Sequence, residues 1–126
     1  DRRFGALYDM DVVGKEAGLQ QVLWLEELLK HPKAHTWRIV VGHRPVISGS
    51  QRFKRDGQEF AAETKFRAYM RDLLSAHEVD VYMNGHDHTT QWICEGGVSF
   101  LINGVGGYDL HAFEKTPPPG PPPYKK

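Results

Sequence analysis

Two short β-rich apolar runs, each ending at a glycine–histidine pair, constrain this chain more than any other feature. The first is Trp37 to Val41 (WRIVV), followed by Gly42 and His43; the second is Val79 to Met83, closed by Asn84, Gly85 and His86. Between them Phe60, Phe66, Tyr69, Met70, Leu73 and Leu74 recur at helical spacing, which predicts a helix over Glu59 to His77. A strand, a crossover of that length and a second strand meet the requirement for parallel pairing. Both Gly-His pairs then fall at the carboxyl ends of parallel strands, the edge where open α/β sheets place their ligands.

The remaining pattern agrees with an α/β class. Phe4 to Asp9 reads as a strand. Leu19, Val22, Leu23, Leu25, Leu28 and Leu29 stripe a helix over Leu19 to His31, with Glu26 and Glu27 opposite and Pro32 as its stop. WRIVV suits a buried strand, and residues 42–58, polar and basic around Arg52, Lys54 and Arg55, read as a long loop. Gln91 to Cys94 and Val98 to Ile102 predict a hairpin about Glu95-Gly96-Gly97, followed by a loop holding Gly104, Gly106 and Gly107. Residues 1–115 are thus expected to be one folded unit. Residues 116–126 (TPPPGPPPYKK) hold six prolines in eleven positions and are expected to be a disordered, polyproline-type extension. Its Pro121 to Tyr124 and Lys115 to Pro121 strings resemble ligands of proline-recognising domains, against the plainer reading of a solvated spacer.

Composition narrows the function classes. Lys plus Arg is 16 and Asp plus Glu is 16 in 126 residues, so the basic excess expected of a nucleic-acid-binding module is missing. No apolar run approaches the roughly 20 residues of a membrane span. Cys94 is the single cysteine, which excludes an internal disulfide framework and a cysteine-based zinc site. Asp1 rather than Met opens the chain, so any start, signal or transit segment lies outside the sequence, which reads as a processed product or a piece of something longer.

The chemistry concentrates in three of the seven histidines. His43 follows the first run, and His86 and His88 follow the second. In an extended segment residues two apart point the same way, so His86 and His88 are expected to face one site while Asp87 faces away. The glycines before His43 and His86 are expected to let the backbone turn sharply and approach a ligand. Neutral imidazole is a common ligand for zinc, iron and manganese. His31, His35 and His77 flank helix ends and read as exposed polar groups. Asp87 reads either as support for a ligand histidine or as a plain loop carboxylate. A two-histidine, one-carboxylate oxygenase site is disfavoured because Asp87 alternates away from its neighbours.

Gly42-His43-Arg44-Pro45-Val46, and Gly85-His86-Asp87-His88 with Gln91 just after, resemble the last two metal-binding motifs of calcineurin-like metallophosphoesterases. The closest likeness is to the purple acid phosphatase branch, of the small tartrate-resistant type. Gln21 with Trp24-Leu25-Glu26, and the Gly104 to Gly107 loop, extend it over most of residues 4–108. The resemblance implies part of a four-layer αββα sandwich and a two-metal centre, iron with iron, zinc or manganese. His43 and His86 would bind one metal and His88 the other. The implied activity is hydrolysis of phosphate monoesters, on a phosphorylated small molecule or phosphoprotein, by metal-bound hydroxide. A secreted or lysosomal location is implied with it.

Three motifs of that family's first half, Gly-Asp-x-Gly, Gly-Asp-x-x-Tyr and Gly-Asn-His, do not occur in the sequence. The chain is therefore expected to be the C-terminal half of such a domain and inactive alone. The tartrate-resistant branch carries a phosphate-contacting histidine in the loop after Gly-His-x-Pro; Ser48 to Asp56 has none, and Arg52 stands at about that place as a candidate phosphate contact. Two other readings stand beside the phosphatase. One is a phosphodiesterase or nucleotide pyrophosphatase on the same scaffold; the other is a truncated, non-catalytic binding module acting through the tail.

Overall fold

The computed structural model describes residues 15–34, 36–59, 61–107 and 109–112. The predicted strand Phe4 to Asp9 and the proline-rich tail lie outside them. The element order is α1 (Lys15–Lys30), β1 (Ile39–Val41), α2 (Gln51–Glu59), α3 (Ala61–Ala76), β2 (Val81–Asn84), β3 (Thr90–Glu95) and β4 (Val98–Asn103). The four strands form one mixed sheet in the order β1-β2-β4-β3. β1 and β2 are parallel, as are β2 and β4, and β3 returns antiparallel to β4. The class is α/β, as the sequence predicts.

Alternation along the strands builds the core. Tyr82, Phe100, Ile102 and Ile93 point to one face and are buried against Met70, Leu73 and Leu74 of α3 and Leu29 of α1. The opposite face is apolar too. Ile39, Val41, Met83 and Trp92 occupy it, and the register Val41–Met83–Leu101–Trp92 sets the last three of them in one row across the sheet. WRIVV is therefore not the buried strand expected of it. β1 is three residues long, lies at the sheet edge, and leaves Val41 74% and Ile39 53% exposed, because no described element covers that face.

Two helix ends and one turn explain the connections. The Arg38 guanidinium donates to the carbonyls of Leu29, His31 and His77, satisfying groups left open at the ends of both α1 and α3. α3 closes with Glu78 at φ 53° and bonds from Glu78 N to Ser75 O and from Val79 N to Leu74 O, the Schellman pattern with glutamate where glycine is usual. Gly96 and Gly97, both at positive φ, make the two-residue β3–β4 turn.

The long loop predicted over residues 42–58 is half helix. Ser50 Oγ accepts the Phe53 N–H at 3.0 Å and starts α2 as its N-cap, and Arg52 pairs with Asp56 one turn on. One apolar residue, Phe53, in nine positions gave the sequence no helical stripe to read. Capping and a charge pair stand in for it.

Candidate functional site

The carboxyl ends of β1 and β2 carry the Gly-His pairs, and the parallel pairing continues past the strands. Gly42 N donates to Met83 O at 2.9 Å and Gly85 N donates to His43 O at 3.2 Å, which ties the two histidine loops together. Gly42 is required for a steric reason. A Cβ there would lie 2.3 Å from the Tyr82 hydroxyl, which reaches under the loop to donate to Arg44 O at 2.8 Å. His43 and His86 meet edge to face, ring centroids 5.2 Å apart.

Residues 85–89 do not continue β2 as an extended segment, contrary to the alternation expected of them. β2 ends at Asn84, and His86 itself takes a positive φ of 63°, a sparsely populated conformation that recurs at functional sites. Gly85 does not supply the tight turn; a Cβ there would meet nothing within 4 Å. The bend sends the three side chains of His86, Asp87 and His88 to three different sets of partners.

His86 turns toward α2. Its Nε2 lies 2.9 Å from Asp56 Oδ2, and Asp56 is 1% exposed. Arg52 Nε lies 2.9 Å from Asp56 Oδ1, and Arg44 Nη1 reaches Oδ2 at 3.4 Å. Burial acts to raise the Asp56 pKa, but the hydrogen bond from His86 and the Arg52 charge outweigh it and hold the carboxyl below its usual range. For His86 burial dominates and lowers the pKa, with Asp56 opposing and the Arg44 charge assisting.

Asp87 is fully buried and faces inward. Its Oδ2 accepts from the hydroxyls of Ser48, at 2.5 Å, and Ser50. Gln91 completes the network, donating from Nε2 to Ser48 Oγ and Thr89 Oγ1 and accepting the Gly49 N–H at Oε1. The loop after β1 and the loop after β2 are thus fastened by a buried polar network. Gly104 lies close against it, since a Cβ there would come 2.0 Å from the Asp87 carbonyl oxygen.

His88 faces neither His43 nor His86 in any described contact. It stacks on His111 with ring centroids 4.2 Å apart, its N–H donates to His111 Nδ1, and its own Nδ1 lies 2.7 Å from the Asp109 carbonyl oxygen. A carbonyl only accepts, so His88 carries its proton on Nδ1 and its lone pair on Nε2. Burial and the neighbouring His88 lower the His111 pKa.

The structure therefore brings His43 and His86 together, sets Asp87 and His88 on the same loop, and engages Arg52 with Asp56. Donor chemistry fits a metal centre in part: neutral imidazoles, with ring nitrogens fixed by hydrogen bonds, are what divalent and trivalent ions take. The set is incomplete. Among the described residues no group of three or more His, Cys, Asp or Glu side chains lies close enough together to hold an ion. Sequence reasoning missed Asp56, the Ser48 and Ser50 hydroxyls that donate to Asp87, and His111. The four-residue spacing of Arg52 and Asp56 after a capping serine was a usable signal for the first; nothing in the sequence pointed to His111.

The family model for calcineurin-like phosphoesterases matches residues 4–90. Purple acid phosphatase 4 of Arabidopsis thaliana is 33% identical over 103 residues, covering 79% of this chain and 28% of the relative. The serine/threonine-protein phosphatase UIS2 of Plasmodium berghei (strain Anka) is 30% identical over 98 residues, 77% of this chain and 7% of the relative. Tartrate-resistant acid phosphatase type 5 of Rattus norvegicus is 30% identical over 89 residues, 70% of this chain and 24% of the relative. The chain spans less than a third of the length of each of these relatives. No helix among the described residues is long and apolar enough to cross a membrane.

Proposed function

Since the chain belongs to the calcineurin-like phosphoesterase family, we propose that it forms the C-terminal half of a phosphatase domain that hydrolyses phosphate monoesters, of small molecules or phosphoproteins, in the manner of the purple acid phosphatases. The observation that carries this reading is the pairing of the His43 and His86 rings, 5.2 Å apart, at the carboxyl ends of two parallel strands. In it His43 and His86 hold one metal ion and His88 the other, as iron with iron, zinc or manganese. Bound there, such ions polarise a phosphoryl oxygen and make water a nucleophile at ordinary pH.

The residues of this chain have separable tasks. Burial disfavours the charged form of His86 and so favours an imidazole that can offer a lone pair. The Asp87–Ser48–Ser50–Gln91 network fixes the two histidine loops against one another, so ligand geometry does not depend on loop motion. Arg52 uses Nε on Asp56, and its remaining guanidinium N–H groups suit the oxygens of a substrate phosphate. The missing aspartate, asparagine and tyrosine motifs make activity depend on residues upstream of Asp1. A secreted or lysosomal location belongs to the same reading.

The test compares aryl phosphate and aryl phosphodiester hydrolysis by this chain and by a version extended upstream. The reading predicts monoester hydrolysis by the extended protein alone, abolished by a chelator and by His86→Ala or His88→Ala. Chelator-resistant activity, or faster diester cleavage, would overturn it.

A further inference from the structure

The contact between His86 and the buried carboxylate on α2 belongs to none of the motifs that place the chain in its family. Nε2 of His86 stands 2.9 Å from Asp56 Oδ2. At that distance one proton lies between the two atoms, because two lone pairs would repel. Asp56 is held ionised by Arg52, at 2.9 and 3.2 Å from its two oxygens, and by Arg44. The proton therefore resides on the imidazole. Arg44 Nη1 also lies 3.3 Å from Nε2, but a guanidinium only donates and a protonated Nε2 cannot accept, so its hydrogen bond goes to Asp56 Oδ2 instead. The guanidiniums orient the carboxylate, and the carboxylate orients the ring. Among the described residues Nδ1 of His86 makes no hydrogen bond.

We infer that Asp56 is a positioning residue that locks His86 in the Nε2–H tautomer and leaves Nδ1 as the nitrogen offered to a metal ion. Carboxylates that hold the far nitrogen of a ligand histidine raise its basicity and fix its plane, and removing one costs about 10–100-fold in metal affinity. The inference rests on His86 being a ligand, as proposed above. It gives α2 a purpose: the helix carries Asp56 to within hydrogen-bond distance of His86. His88 has the complementary arrangement, with its proton on Nδ1 held by the Asp109 carbonyl. The two histidines of one loop then present different ring nitrogens.

The test is nitrogen-edited nuclear magnetic resonance of the histidine side chains in the full, isotope-labelled, metal-free chain. Two-bond proton–nitrogen couplings should show His86 as a single Nε2–H tautomer. Asp56→Ala should convert it to a mixture, while Asp56→Asn, which keeps a carbonyl acceptor, should preserve the tautomer. Titration with zinc alone should then shift His86 at Nδ1, with affinity about 10–100-fold lower in Asp56→Ala. An Nδ1–H or averaged His86 in the wild-type chain overturns the inference, as does an Asp56→Ala spectrum unchanged from wild type. If Asp56→Ala fails to fold, the wild-type couplings and Asp56→Asn decide alone. A correct tautomer with no zinc-induced shift at either nitrogen overturns instead the reading of His86 as a ligand.

Discussion

Gly104→Ala isolates the contact that holds the histidine loop in place. A Cβ at Gly104 would lie 2.0 Å from the Asp87 carbonyl oxygen, 2.7 Å from its carbon and 3.3 Å from the His88 nitrogen. Ordinary carbon–oxygen contact begins more than 1 Å further out, at roughly 3.5 Å. The obstacle is backbone, and that backbone is held: Thr89 N donates to the same Asp87 oxygen at 2.7 Å, and Gly104 N donates to Thr89 O at 3.1 Å. Relief requires moving the Asp87 peptide, and with it both flanking histidines. Overpacking of this kind costs typically 1–3 kcal/mol, and a rigid backbone neighbour places this case near the top, about 3 kcal/mol. Gly106→Ala two residues on is the control, since a Cβ there meets nothing within 4 Å. It should change stability by no more than about 0.5 kcal/mol. Urea unfolding followed by circular dichroism measures both. A loss below about 1 kcal/mol for Gly104→Ala, or equal losses at the two glycines, refutes the packing argument.

Three further perturbations probe other parts of the account. Asp87→Ala removes the acceptor of the buried Ser50 hydroxyl and the partly buried Ser48 hydroxyl and should cost about 2–4 kcal/mol in the same unfolding assay, with Asp87→Asn near 1 because its carbonyl can take the Oδ2 place; equal losses would refute the network. Glu78→Gly should stabilise by about 0.5–1 kcal/mol by relieving the left-handed backbone at the end of α3, and a destabilised variant would contradict that assignment. The Asp80 pKa is lowered first by the Lys33 ammonium and then by the Arg38 N–H. Its folded value lies below its unfolded one, so its contribution is complete above the ordinary carboxylate pKa of about 3.9 and fades as pH falls through the folded value. The stability gap between wild type and Asp80→Asn should therefore be flat at neutral pH and close in acid; a gap that persists at the lowest pH would count against the ion pair.

The two Gly-His pairs were legible because apolar runs, crossover length and glycine all point to one sheet edge, and the structure puts His43 and His86 there. Periodicity also found α1, α3 and the hairpin, each with a stripe or an alternation to read. α2 was not legible in that way, since its stability comes from a serine cap and a charge pair instead of burial. The orientation of Asp87 depends on His86 taking a positive φ, a tertiary outcome that strand alternation cannot anticipate. WRIVV reads as buried because both of its faces are apolar, yet what covers a face is decided by neighbours that no local pattern names. The exposed row Val41, Met83 and Trp92 is the visible consequence.

The claim at the centre of this account is that His43, His86 and His88 are ligands of a phosphatase metal centre. Elemental analysis of the upstream-extended protein, purified without added metal, tests it most directly. The account predicts two metal ions per molecule, with metal lost in each of His43→Ala, His86→Ala and His88→Ala while the circular dichroism spectrum stays native. Two ions retained in all three variants, or a folded wild-type protein that takes up no metal, would contradict it.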